Sequence, residues 1–414
     1  MKLSLSVESC RRSAMDVWEE YRQEQRTNEA RIHEHQDRII QYNGKALKYH
    51  VVIRGEKPDG GYPLYIALHG GGGEPVELNN SAWEKMQTYY LQSVIQGIYV
   101  APRGITDTWD MHFRPESYVF YDRLIENMLL FESVNSDKVF LLGYSAGGDA
   151  VYQVAPRMAD RFAGVNMSAG HHNWVDLRNL ANLPIVLQAG QHDELYNRHT
   201  ETAKMNDTLD SLAAERKDGY IHTTWIHSEK GHRFCDNDPE GTSIAVLRSP
   251  RTWLALGHSD TIDVNTNAIC WLDQFTRNPR PQWVVWDLRT RADRKAESLW
   301  HHCGHGQQHY WLDISDYTAD ALGVDTIIVE VDKENNVINV ESCGSYLRLL
   351  VDATMLNLDM PVEVVVEGRS HSVRVCANRE TQRETIRQRG DPRYIFDGSI
   401  VLTQTVSGWN ITAG

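Results

Sequence analysis

From Tyr62 to His232 the chain repeats one texture. Short, nearly unbroken apolar runs end in glycine or polar clusters, and amphipathic stretches separate them. The runs are PLYIALHGGGG, GIYVAPRG, KVFLLGYSAGG, FAGVNMSAG, LPIVLQAGQHD and YIHTTWIHSEKGH. A strand that is apolar throughout has to be covered on both faces. Strands of that kind alternating with helical stretches predict an α/β fold: a mostly parallel sheet with right-handed crossovers. In such sheets chemistry gathers at the carboxyl ends of the strands. Every glycine or polar cluster here lies at that end of its run.

The flanks read differently. Residues 14–36 are rich in Glu, Arg and Gln with sparse apolar positions (Met15, Val17, Trp18, Tyr21), which predicts an exposed, weakly amphipathic helix. Two strand-like runs, RIIQYN and KALKYHVVIRG, meet at Asn43-Gly44, a strong hairpin signal. Around 277–283 the sequence Arg-Asn-Pro-Arg-Pro-Gln-Trp forms a stiff connector. Beyond it, DTIIVEVDKENNVINVES, SYLRLLVD, PVEVVVEG and HSVRVCA predict a small all-β domain, sandwich-like. The expected division is a helical extension over 1–36, an α/β domain over 37–278 and a β domain over 283–414.

Composition narrows the function classes. With 42 basic and 56 acidic side chains the formal charge is −14. Such a surface disfavours nucleic acid and anionic membranes as partners. No stretch approaches the length of a membrane helix, and the apolar run near Met1 is too short for a signal peptide. A cytoplasmic protein is expected. Its six cysteines form no CxxC pair and are expected to be reduced thiols.

The sharpest local feature is Gly143-Tyr144-Ser145-Ala146-Gly147-Gly148, directly after KVFLL and before the helix-like DAVYQVAPRMADRF. Gly-x-Ser-x-Gly in that context is a nucleophile elbow: a strained strand-to-helix turn that leaves the serine hydroxyl exposed. Acyl transfer through a serine needs two N–H donors for its oxyanion. His69-Gly70-Gly71-Gly72-Gly73 ends an earlier strand, and a glycine run lets backbone amides turn into a site. One donor is expected from Gly71 or Gly72 and the other from Ala146.

The serine needs a base, and the base needs an orienting carboxylate. In a strand–elbow–helix site the chain order is serine, acid, histidine. Asp193 in GQHDELYN and His232 in SEKGHRF each lie just past a run's carboxyl end. Glu194, Asp236 and Asp238 are rivals for the acid. His171, His172, His192, His227 and His258 are rivals for the base. Trp109, Asp110 and His112, with Arg114 and Tyr118, follow GIYVAPRG in a loop that is either a pocket wall or a packed loop with a satisfied histidine. His171 and Tyr144 complete the substrate-binding candidates. His301, His302, Cys303, His305 and His309 are residue types that bind zinc. Their spacing fits no zinc signature, and a solvated or interface loop is the plainer reading.

HGGGG, GYSAGGD, GQHDELYN and KGHRF resemble the α/β-hydrolase superfamily over residues 40–280. Within it the resemblance is to poly(3-hydroxybutyrate) depolymerase-like and feruloyl-esterase-like serine hydrolases. PRGITDTWDMHF, YDRLIEN, YQVAPRMADRF and FTRNPRP resemble bacterial members that also carry a small β domain. The resemblance implies an eight-stranded core sheet and a Ser145–Asp193–His232 triad working through an acyl-enzyme. It implies no metal and no organic cofactor. A carboxylesterase acting on a small-molecule ester is the expected enzyme. A peptidase or amidase would use the same triad. The β domain leaves a binding module or a homodimer open, with Tyr310, Trp311 and Tyr346 as stacking platforms or as core. Two stretches depart from the resemblance: DNDPEGTSIAVLRSPRTW after His232, and the first 35 residues.

Overall fold

The computed structural model describes residues 7–216, 218–227, 230–234, 244–245, 267–288, 306–316 and 322–414. Asp236, Asp238, His258 and the cluster His301–His305 lie outside the described residues. So does most of the departing stretch after His232. The chain divides into two units, His33–Asn278 and Met1–Ile32 with Pro279–Gly414.

The N-terminal segment is two helices rather than one: α1 (Val7–Arg26) and α2 (Glu29–Gln36). The Asn28 side chain accepts from the amides of Ala30 and Arg31 at 3.0 and 3.4 Å, which caps a new helix. On α1, Cys10, Val17 and Tyr21 are buried, while Met15 is 70% exposed.

The unit His33–Asn278 is built on one sheet. Its strands are β1 (Ile39–Tyr42), β2 (Lys45–Arg54), β3 (Tyr62–Leu68), β4 (Gly97–Pro102), β5 (Val134–Tyr144), β6 (Gly164–Ser168), β7 (Ile185–Gly190), β8 (His222–His227) and β9 (Ile244–Ala245). The order is β1-β2-β4-β3-β5-β6-β7-β8-β9. Tyr42 pairs with Lys45, and Asn43 and Gly44 both have positive φ (48° and 71°). This is the tight hairpin that Asn-Gly encodes. From β3 to β8 every neighbouring pair is parallel. Among the described residues the sheet has nine strands where eight were expected, because the two-residue β9 adds antiparallel to β8.

Among the described residues, five α-helices accompany the sheet: α3 (Val76–Tyr89), α4 (Pro115–Phe131), α5 (Ala146–Val154), α6 (Arg198–Glu215) and α7 (Ala268–Leu272). All residues of β4, β6 and β7 are buried, as unbroken apolar runs require. Tyr65, Ala67, Phe140 and Leu142 join one core cluster with Met86 of α3 and Trp271 and Leu272 of α7. Alternation sends Leu141 and Gly143 to the other face, where α5 lies with Val151 against Gly143. No described helix is long and apolar enough to cross a membrane.

In the other unit, β10 (Trp283–Asp287), β13 (Thr326–Asp332), β14 (Val337–Ser342), β16 (Val362–Val366) and β17 (Arg369–Val373) form one five-stranded sheet. A second is formed by β11 (Gln308–His309), β12 (Leu312–Asp313), β15 (Tyr346–Val351), β18 (Gly398–Thr405) and β19 (Gly408–Ala413). Side chains of both sheets share one core, which is the expected sandwich. Pairs are antiparallel except β14 with β16. Tyr310, Trp311 and Tyr346 are core residues, 2%, 0% and 5% exposed. The unit is not all-β. Helix α8 (Arg379–Arg389) starts at an Asn378 cap and ends at Gly390 with φ 58°. Its Gln382 accepts from Ser13 of α1 at 2.6 Å.

Candidate active site

The nucleophile candidate sits where β5 turns into α5. Ser145 has φ 60° and ψ −121°, a strained backbone for a residue with a side chain. The turn is held from both sides. The Ser145 amide donates to Ser168 O on β6, and the Asp149 amide returns to Ser145 O, each at 2.9 Å. This geometry needs glycine at 147, where a Cβ would run into the Leu68 carbonyl oxygen of β3.

His232 stands between serine and acid. Its Nε2 lies 2.9 Å from Ser145 Oγ, and its Nδ1 lies 2.9 Å from Asp193 Oδ2. Nδ1–H therefore donates to the carboxylate, and Nε2 is left to accept from the serine. The Asp193 side chain is fully buried, and the buried Arg198 guanidinium approaches its other oxygen to 3.9 Å. The two loops are stitched main chain to main chain: the Gln191 amide to His227 O and the His192 amide to Lys230 O, at 2.9 and 2.8 Å. Glu194 is exposed, and His227 is buried with its Nε2 2.8 Å from Gln188 Oε1. Neither rival takes part.

The glycine loop after β3 lies against Ser145. A Cβ placed on Gly70 would be 3.0 Å from Ser145 Cβ. Of the two donors expected there, Gly72 is committed elsewhere. Its amide donates to Asn79 Oδ1 at 2.8 Å, which leaves Gly71. The Ala146 amide is the first of α5 and lacks an intrahelical partner by position. Asn79 is wholly buried and also donates to Glu74 O and Asp107 Oδ1 at 2.9 and 3.0 Å. Asn79→Ala is expected to lower stability by about 3 kcal/mol, since it strands several buried groups at once. Turnover should fall with it. An unchanged urea midpoint would contradict this role.

The loop after β4 is braced rather than open, which corrects part of the pocket expectation. His112 is 1% exposed and donates from Nε2 to His69 O at 3.0 Å. Gly104 N–H donates to His69 Nε2 at 3.0 Å, so His69 Nδ1 donates to Gly70 O at 2.6 Å. Burial pushes the His69 ring down to about 4 and the His112 ring well below its usual range. Both are neutral spacers that fix the glycine loop. Asp110 accepts from Arg114 and from Thr108, at 2.9 and 2.5 Å, within its own loop. Trp109 is 36% exposed, and its Nε1 donates to Asp149 Oδ2 at 2.8 Å. The other Asp149 oxygen accepts the His171 amide at 2.7 Å. Burial raises the Asp149 carboxyl, offset in part by these two bonds. This one side chain of α5 ties the loops after β4 and β6 together. Trp174, 5.8 Å from the Trp109 ring, extends that wall, and nothing in its sequence context marked it.

Among the described residues no group of three or more His, Cys, Asp or Glu is placed to hold a metal ion. His309 is buried and stacks on Trp286.

An elbow after β5 and a glycine loop after β3, on a mostly parallel sheet, are the arrangement of one superfamily. The layout is that of the α/β-hydrolase fold. No family model matches the chain. The putative esterase NocK of Nocardia uniformis subsp. tsuyamanensis is 28% identical over 145 residues, 33% of this chain and 41% of that protein. The bifunctional acetylxylan esterase/xylanase XynS20E of Neocallimastix patriciarum is 25% identical over 139 residues, 33% of this chain and 20% of that protein. The chain thus spans less than half the length of the curated relatives it matches. Among solved structures, the poly(3-hydroxybutyrate) depolymerase LpqC from Bordetella parapertussis covers 46% of this chain and 80% of its own. That likeness has 16% identity and a TM-score of 0.38.

Proposed function

We propose that the chain is a serine hydrolase acting on carboxylic esters. The observation that carries this reading is His232, bonded at 2.9 Å to Ser145 Oγ on one side and to Asp193 Oδ2 on the other. His232 Nε2 takes the hydroxyl proton as Ser145 Oγ attacks the ester carbonyl. The amides of Gly71 and Ala146 receive the oxyanion. The imidazolium then protonates the leaving alcohol, and an acyl-serine remains. Water, deprotonated by the same Nε2, attacks the acyl carbon, and the imidazolium returns that proton to Ser145 Oγ as the acid leaves. Buried Asp193 keeps the Nδ1 proton in place and stabilises the imidazolium while it exists. Ester rather than amide cleavage is favoured by the curated relatives, both named as esterases.

A fluorophosphonate probe tests the reading without knowledge of the substrate, because it needs only an activated serine. Intact mass and peptide mapping are expected to find a single adduct on Ser145 that His232→Ala abolishes. A folded protein that takes no adduct would refute the assignment. Matched ester and amide substrates then decide the bond cleaved, and faster turnover of the amides would overturn the ester reading.

A further inference from the structure

Tyr144 was expected to line the substrate pocket, but its hydroxyl is engaged elsewhere. It donates to the backbone carbonyl of His232. The ring lies 5.4 Å from the His232 imidazole and 5.0 Å from the ring of Tyr89. Tyr89, the last residue of α3, donates its own hydroxyl to Phe234 O, two residues further along the histidine loop. Phe234 in turn stacks on His227 at 4.3 Å. The loop that carries His232 is thus held by two phenols at alternate carbonyls.

We infer that Tyr144 is a positioning residue for His232, with Tyr89 as its auxiliary. Tyr144 closes β5 and Ser145 follows it in the strained turn, so their side chains leave the backbone in different directions. Ser145 Oγ meets the ring nitrogen of His232, and the Tyr144 hydroxyl meets its main-chain carbonyl. One dipeptide therefore grips the histidine at both ends. During acylation the ring must take a proton from Ser145 and hand it to the leaving group without swinging away. Fixing the carbonyls of His232 and Phe234 fixes the backbone torsions between them, and with them the direction in which the imidazole points. The residue before the serine in the elbow motif then does more than fill the turn. This inference rests on the hydrolase reading above.

The test compares full-length Tyr144→Phe and Tyr89→Phe with the wild type. Tyr220→Phe serves as control, since its hydroxyl also bonds a carbonyl (Arg178 O, 3.0 Å) but away from the elbow. On a soluble p-nitrophenyl ester, Tyr144→Phe is expected to lower kcat about tenfold or more. KM should stay within about twofold, because ground-state binding is untouched. The rate of fluorophosphonate labelling should fall in parallel. Tyr89→Phe should give a smaller fall of the same kind, and it stands in if Tyr144→Phe does not fold. The urea midpoint of Tyr144→Phe should match that of the control. Unchanged kcat in both variants overturns the inference, and a rise in KM alone returns Tyr144 to the pocket. A wild type that takes no adduct at Ser145 overturns the hydrolase reading itself, and the inference with it.

Discussion

Ser145→Ala is expected to reduce ester turnover by about 10⁶-fold, the scale on which triad nucleophiles act. The fold should survive. The turn is held by the Ser145 amide and carbonyl, both retained in alanine. The strain at φ 60° is retained too. Ser145→Gly separates the two effects. It removes the oxygen and also the Cβ that makes this backbone unfavourable, so it should be equally inactive yet more stable by about 1–3 kcal/mol. Initial rates on a p-nitrophenyl ester, read beside urea denaturation, check both. Ser145→Ala with more than about a thousandth of wild-type turnover would remove Ser145 as the nucleophile, since that exceeds the background left when a triad member is lost.

Gly147→Ala is expected to destabilise the protein by about 4 kcal/mol or more, at the edge of what single substitutions do. Nothing polar is lost. The added methyl would run into the main-chain carbonyl of Leu68, and backbone at the centre of a sheet has nowhere to go. Gly73→Ala provides the contrast. Its φ of 68° is unfavourable for alanine, but a Cβ there meets nothing within 4 Å. That variant should lose only about 1–2 kcal/mol. Urea midpoints of the two variants decide the matter. Equal losses would mean that the elbow can slide away from β3, contrary to the close approach described above.

Much of this was legible in the residues because backbone geometry imposes itself on sequence. Apolar runs marked the strands buried on both faces, Asn43-Gly44 marked the hairpin, and the glycines around Ser145 marked the elbow. Asp193 and His232 were singled out by their places at strand ends, and the structure brings them to hydrogen-bond distance of one another. What escaped depended on partners far along the chain. His112 resembled a pocket histidine because a buried, neutral imidazole and an exposed one are spelled alike. Gly72 was indistinguishable from Gly71 until Asn79 claimed its amide. Helix α8 was invisible to apolar periodicity because its inward face is Thr381, Gln382, Thr385 and Ile386, only one of them apolar. Trp174 gained meaning only through Trp109, and Tyr144 only through the carbonyl it reaches.

The stitching of the acid and histidine loops has a consequence for how a protein like this can change. Asp193 and His232 are kept in register by amide-to-carbonyl bonds at positions 191–192 and 227–230, so the spacing of acid and base is indifferent to most side chains nearby. Gln191, His192, Glu194 and Leu195 are all exposed beside that seam. Substitutions there can accumulate by drift, or be imposed in a randomised library, while the spacing of Asp193 and His232 is kept by the main chain. Under the hydrolase reading proposed above, preference among esters would be free to diversify around a fixed acid–base spacing.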